Sequence, residues 1–160
     1  MELVEKSILT EIYLAGISGK SHMESLKIKK GFTENIINSK MDEIVKNKLV
    51  KEDRITLTEL GRSSLRVVLA GGVFDIIHPG HIHTLNAAKA LGDVLIVVVA
   101  TDNTAVKMKK RQPLHSKEQR QELVNSLVMV DLCLIGQEDD IFKTVNLVKP
   151  QIIALGYDQV

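Results

Sequence analysis

The 160-residue chain holds one cysteine, Cys133, which has nothing to pair with, so an internal disulfide is excluded. The CxxC spacing of a structural zinc site is missing with it. The chain therefore reads as a protein of a reducing compartment. Charge of one sign is lacking too. Lysine and arginine number 21 against 20 acidic residues, a formal charge of +1, so no global field draws in a nucleic acid and any polyanion must be held by a local site. Long hydrophobic runs are also absent: VLIVVVA at 94–100 is far too short to span a bilayer, and the opening MELVEKSILTEIYLAG is interrupted by charges and has no signal-peptide core. There is no low-complexity linker and no internal repeat. With 44% apolar residues the chain is expected to fold, as one domain or two small ones, and to be soluble and cytoplasmic, with no membrane partner.

Residues 1–65 carry helical periodicity: Leu3, Ile8, Ile12 and Leu14, then a Gly-Ile-Ser-Gly break, then Met23 with Leu26, then Ile36, Ile37, Met41, Ile44 and Val45. Three helices in sequence are predicted. LVKEDRITLTELG follows, two short β-like runs around a charged KEDR turn, with Thr58 placed to cap a last helix through Arg62. Three helices closing on a small hairpin resemble a winged helix-turn-helix, which makes 1–65 a domain of its own. This half holds 11 basic and 10 acidic side chains. Its would-be recognition helix, 33–47, sets Lys40 and Lys46 against Glu34, Asp42 and Glu43, a poor face for DNA phosphates. Lys27, Lys29 and Lys30 offer a basic edge that leaves DNA open as a partner, beside dimerisation or packing on the second domain.

From Arg66 the texture changes to alternating strand and helix. RVVLAGG, DVLIVVVATD, VDLCLIG and QIIALG read as strands, separated by helices from Pro79 to Leu91, Lys117 to Val128 and Ile141 to Val148. Short continuous β-branched runs between helices predict a parallel sheet buried on both faces, an α/β Rossmann-like doubly wound fold over 66–160. Ser116 with Gln119 forms a capping box, Asp139 or Asp140 can cap the third helix, and Pro150 follows its end.

The chemistry concentrates in AGGVFDIIHPGHIHTLNAAKALGD at 70–93. As a bare pair, His78 and His81 could be ligands, bases, phosphate holders or packing residues. Their placement narrows this, because a parallel α/β sheet binds ligands beyond the carboxyl ends of its strands, and HPGH directly follows the first strand at the mouth of a helix. Free N–H groups and the partial positive charge of a helix N-terminus suit phosphate. Gly71 and Gly72 let a ligand approach the backbone, and Gly80 keeps the turn between the histidines clear of a side chain.

GGVFDIIHPGH closely resembles the HxGH signature of the nucleotidyltransferase superfamily, and in particular its cytidylyltransferase-like branch, whose members read GxFDxxHxGH. The likeness runs from Val67 to the last residue and takes in ATDNTAVKMKKRQP, SKEQRQELVNSLVMVD and KPQIIALGYDQ, the last two very like archaeal FAD synthases. Val73 stands where Thr is more usual, and Lys110 where Gly is frequent in a K-G-R-x-P stretch; neither departure removes a charged catalytic group. The resemblance implies that a phosphate monoester attacks the α-phosphorus of ATP or CTP and that pyrophosphate leaves, without a covalent enzyme intermediate. FMN is the favoured acceptor. Glycerol 3-phosphate cytidylylation and heptose-type sugar-phosphate adenylylation are the alternatives within the class, and a DNA-binding regulator that senses a nucleotide or flavin is the alternative outside it.

The same resemblance implies residue roles. His78, His81, Lys107 and Arg120 are the expected catalytic residues: the histidines donate to α- and β-phosphate oxygens, Lys107 and Lys109, in the loop after the second strand, neutralise phosphates, and Arg120 holds the β- and γ-phosphates. Gly72, Val73, Phe74, Pro79, Gly80, Lys109 and Asp158 complete the expected nucleotide-binding set with the histidines. Asp75 is expected to brace the histidine loop rather than touch metal, and Asp102 to face the acceptor or a lysine. Mg2+ is implied as a companion of the triphosphate, with no protein metal ligands. A homodimer is the usual family state. FAD synthase-like enzymes continue for several tens of residues past GYDQ, so the chain is expected to be either a piece of a longer protein, with the C-terminal part of this domain missing, or a reduced family member. His83 is expected to face solvent, Arg111 to be a solvated charge, and His115 and Cys133 to be structural.

Overall fold

A computed structural model describes residues 1–21, 23–138 and 141–156. The chain divides into two compact units, Met1–Leu65 and Arg66–Val160.

In the first unit, α1 (Leu3–Ser18) opens on a reciprocal pair between Glu2 and Glu5 and stops at Gly19, whose φ of 72° is the left-handed conformation that ends helices. It buries Ile8, Leu9, Ile12 and Tyr13, an i, i+1, i+4, i+5 stripe. α2 (Met23–Ile28) adds Leu26 to this core. α3 (Glu34–Lys46), capped by the Thr33 hydroxyl, adds Ile37, Met41 and Ile44. Burial pushes the Tyr13 hydroxyl up to about 12, although the Arg62 charge acts the other way. Arg62 lies 4.8 Å above the Tyr13 ring.

The expected hairpin shrinks to one antiparallel bridge, Val50 to Leu57. Asp53 explains why. Its carboxylate accepts the backbone N–H groups of Ile55 and Thr56 at 3.0 Å each and the Thr56 hydroxyl at 2.6 Å, so donors that a ladder would use are turned inward on the KEDR turn. The last helix forms as expected: α4 (Glu59–Ser63) is capped by Thr58, which accepts from the Gly61 N–H.

Among the described residues the second unit holds a four-stranded parallel sheet in the order β3-β2-β1-β4. Its strands are β1 (Val67–Gly72), β2 (Val94–Val99), β3 (Leu132–Ile135) and β4 (Ile152–Ala154). The central pair is dry: Val67, Val68 and the run from Val94 to Val97 are all fully buried, as unbroken β-branched strands demand. At the N-terminal edge of the sheet, side chains close the backbone hydrogen bonds: Asp93 accepts from Arg66 N–H, Gln151 from Val67 N–H and Asp131 from Leu95 N–H. This is the Rossmann-like α/β architecture the sequence predicts.

The helices follow the sequence reading with one addition. α5 (Pro79–Lys89) and α7 (Lys117–Asn125) end two or three residues early, and α8 (Ile141–Val148) has the expected bounds; its proposed Asp139 or Asp140 cap lies outside the described residues. The addition is α6 (Asp102–Lys109), formed where a loop is expected and capped by Thr101, which accepts from Thr104 N–H. Cys133 is a small core residue whose thiol is pushed up to about 12 by burial, hence unreactive. Among the described residues no helix is long and apolar enough to cross a membrane.

The tightest approach in the first unit is at Gly61, where a Cβ would lie 1.9 Å from the Leu49 carbonyl oxygen and 2.8 Å from its carbon. Both are backbone atoms that cannot swing aside. Gly61→Ala is therefore expected to destabilise this unit by about 2 kcal/mol or more in urea unfolding, with the sheet of the second unit unaffected.

Candidate active site

β1 runs out at Gly72, and β4 and β2 flank it on opposite sides, the chain having gone one way to β3 and returned to the other edge. Such a reversal of strand order leaves a crevice at the carboxyl ends of the strands. The crevice is present, a cleft of about 800 Å³ lined by the β1 end and the start of α5, by α6 and the segment after it on one side, and by Ala154 at the end of β4 and Gly156 beyond it on the other.

The histidines meet at the mouth of α5, where His78 is the N-cap with extended backbone and Pro79 the first helical residue. His78 Nδ1 accepts the Gly80 N–H at 3.0 Å, and His81 Nδ1 accepts the His78 N–H at 3.2 Å. Each ring thus satisfies a backbone donor that the helix leaves unpaired. The consequence is chemical. With Nδ1 used as an acceptor, the neutral imidazole carries its proton on Nε2, so each ring presents an N–H donor. The ring centroids lie 4.0 Å apart. Gly80 permits this, since a Cβ there would fall 2.7 Å from His78 Cε1. Phe74, held at a φ of 53°, backs the His81 ring at 5.4 Å between centroids.

Asp75 staples the histidine loop to the segment before α7. Its two carboxylate oxygens accept the N–H groups of Leu114 at 2.9 Å and His115 at 3.0 Å, and the His115 ring reaches the Asp75 carbonyl at 3.1 Å. Burial alone would raise this carboxyl; the two backbone donors and the His115 ring outweigh it and hold the group below the usual aspartate range. Arg111 Nη1 stands 3.6 Å from the same carboxylate.

Arg120 is not where the sequence places it. Expected at the phosphates, its side chain is wholly buried and does not line the cleft. Nε donates to His115 O at 3.1 Å, Nη1 to Val73 O at 2.8 Å and Ala100 O at 2.7 Å, and Nη2 to Asp102 Oδ1 at 2.8 Å. The planar fork thus joins the loop after β1, the end of β2, the first turn of α6 and the segment before α7. Asp102, with its carboxylate on Arg120, does not line the cleft either.

Lys107 is a second correction. It lies on α6 rather than in a loop, and the cleft-facing residues of that helix are Ala105, Met108 and Lys109, one i, i+3, i+4 face. Lys107, two residues from Ala105 and Lys109, falls outside it and is exposed. Of the expected nucleotide-binding set, Gly72, Val73, Phe74, His78, Gly80, His81 and Lys109 line the cleft, Pro79 does not, and Asp158 lies outside the described residues. His83, Thr84, Met108 and Arg111 line it as well. Thr84 is one helical turn past His81, so the helical period could have placed it; Met108 became readable only once α6 existed. Lys110 ends α6 in the left-handed conformation, with φ 60°, so the position where the family resemblance leads one to expect glycine is one whose backbone favours glycine.

Among the described residues no three His, Cys, Asp or Glu side chains form a metal-binding cluster. The carboxylate of Asp75 is engaged by backbone donors and that of Asp102 by Arg120.

Two outcomes follow from these clamps. Arg120→Ala, which orphans three carbonyls and opens a cavity, is expected to lose at least about 3 kcal/mol in urea unfolding, and Arg120→Lys, whose single nitrogen cannot serve four acceptors, about 1–2 kcal/mol. Asp75 titrates lower in the folded state, so its contribution is fully present above the ordinary aspartate value and lost as pH falls through the lowered one. Asp75→Asn should therefore lower stability at neutral pH by about 1–3 kcal/mol and flatten the acid limb of a stability-versus-pH curve.

A family model described as cytidylyltransferase-like matches residues 69–160, more than half of the chain. The FAD synthase of Picrophilus torridus is 58% identical over 92 residues, covering 58% of this chain and 66% of that protein. The FAD synthase of Methanosarcina barkeri is 51% identical over 92 residues, covering 58% of this chain and 65% of that protein. The chain thus spans slightly less than two thirds of the length of these relatives. Among solved structures, the crystal structure of the lipopolysaccharide core biosynthesis protein from Thermoplasma volcanium is similar, with a TM-score of 0.57, 49% identity, and coverage of 59% of this chain and 77% of that one. Match and architecture agree: through residues 69–160, the chain belongs to the cytidylyltransferase-like family.

Proposed function

We propose that this protein transfers an adenylyl group from ATP to FMN, forming FAD and pyrophosphate. The observation that carries the reading is the pair of imidazoles that line the cleft at a helix N-terminus, each pinned by a backbone N–H group on Nδ1. The likeness to FAD synthases supports FMN as the acceptor.

The reaction needs no base, because the attacking phosphate is already a dianion. A phosphate oxygen of FMN bonds to the α-phosphorus as the bond to the α,β-bridging oxygen breaks in line, and pyrophosphate departs with that electron pair. Repulsion between anions and placement are the obstacles. The Nε2–H donors of His78 and His81 meet the α- and β-phosphate oxygens, where charge grows as the bridging bond breaks. Lys109 and Arg111, lining the α6 side of the cleft, reduce the repulsion between FMN phosphate and triphosphate. Arg120 acts from below as a positioning residue, holding the strand ends that carry the histidine loop. Mg2+ bound to the triphosphate supplies further charge neutralisation.

Residues 1–65 are read as a winged helix-turn-helix with a rudimentary wing. DNA is its weaker partner: Lys40, one of the two lysines of α3, is engaged by Glu2 at 2.7 Å and Glu43 at 3.1 Å.

Pyrophosphate release with Mg2+, crossing ATP and CTP against FMN, glycerol 3-phosphate and a sugar phosphate, tests the assignment; turnover is expected for ATP with FMN, and turnover confined to another pair would replace it. His78→Ala and His81→Ala should each lower kcat by about 100-fold or more while circular dichroism shows the fold retained. Full activity in either would overturn the mechanism.

A further inference from the structure

The phosphate chemistry leaves part of the cleft unexplained. Ile76 and Met108 both line it, yet 54% and 53% of their surfaces are exposed, and Pro113 lines it as well. Neither large side chain is needed by the core, since Ile77 packs against the core in place of its neighbour Ile76 and Ala105 is the buried residue of α6. Their positions are nonetheless held. Ile76 follows Asp75 directly, Pro113 precedes Leu114, and the Asp75 carboxylate binds the Leu114 N–H, so one hydrogen bond joins the two segments; Met108 sits in the last turn of α6.

We infer that Ile76, Met108 and Pro113 form the platform for the isoalloxazine ring of FMN, and so select a flavin over a polyol phosphate. The inference rests on the FMN reading above and adds which residues enforce it. Lys109 and Arg111 interleave with this apolar rim, so a ligand whose phosphate they attract has its remaining atoms against carbon and sulfur. Glycerol or a sugar would turn hydroxyls toward groups that cannot bond them, a desolvation penalty without return. A flat, wide ring has apolar faces to bury, and the methionine thioether makes favourable contacts with aromatic systems. The opposite side of the cleft suits the adenine instead: Ala154 and Gly156, across β1 from α6, offer small residues and main chain.

The test is equilibrium binding of FMN and of riboflavin, followed by flavin fluorescence, to the full chain and to the double variant Ile76→Asn with Met108→Gln. Riboflavin keeps the ring and lacks the phosphate. Both affinities should fall about tenfold or more, while KM for ATP stays within about twofold and the urea midpoint is unchanged. Unaltered flavin affinity in the variant, or an equal loss toward ATP, would overturn the platform and leave the FMN reading standing. A native chain that neither binds nor adenylylates FMN removes the FMN reading itself, and the platform with it.

Discussion

The second unit is organised around one buried cation. Arg120 reaches from α7 into the space where the strands end and donates to three carbonyls and a carboxylate, each from a different segment. A guanidinium is suited to this because its donors lie in one plane with fixed directions and because it stays charged. Burying it without partners would be prohibitive, so the four acceptors and the cation determine one another: the loop after β1, the end of β2 and the first turn of α6 have to converge on the fork. The convergence also sets the shape of the cleft above.

Two more polar clamps divide the remaining work. Asp75 ties the histidine loop to the segment before α7 through backbone donors, and the histidines tie themselves to the start of α5. In each case a side chain satisfies main-chain groups that a strand end or helix start leaves open. The rings are thereby held in one orientation by main-chain donors, an arrangement that suits the proposed transfer because fixed donors need not reorganise as charge moves. The arrangement also separates functions by depth. Charges that fix the frame, Arg120 and Asp75, are buried; those that line the cleft, Lys109 and Arg111, are exposed.

Departures from the family pattern fall where the frame tolerates them. Lys110 adopts the left-handed cap that ends α6, a strain of about 1 kcal/mol that an exposed helix end can absorb. Val73 keeps its essential contribution, since Arg120 uses its carbonyl rather than its side chain. Position 73 is constrained through its backbone, which explains why a β-branched apolar residue can stand where a hydroxyl is more usual.

Local patterns were enough to predict much of this protein. Continuous β-branched runs placed the four strands and period-3.6 hydrophobicity most of the helices, the Ser116 and Thr58 caps marked helix starts, and HPGH after a strand marked an anion site at a helix N-terminus, because each of these signals is carried by neighbouring residues. The hairpin before α4 is shorter than expected and the helix α6 was missed where short-range competition decided the outcome: Asp53 captured strand donors, and Thr101 capped a run that looks like a charged loop. The role of Arg120 was beyond any local signal. By itself a lone arginine near a helix start reads as an exposed residue, and the family resemblance made it a phosphate holder; only the meeting of residues 73, 100, 102 and 115 around it turns it into a buried tie. The same holds for the face of α6, which brings Met108 and Lys109 to the cleft and turns Lys107 away. Sequence determines which groups are available and how each short segment is disposed to fold; tertiary structure decides which of them share a site, because burial and convergence are properties of segments far apart in the chain.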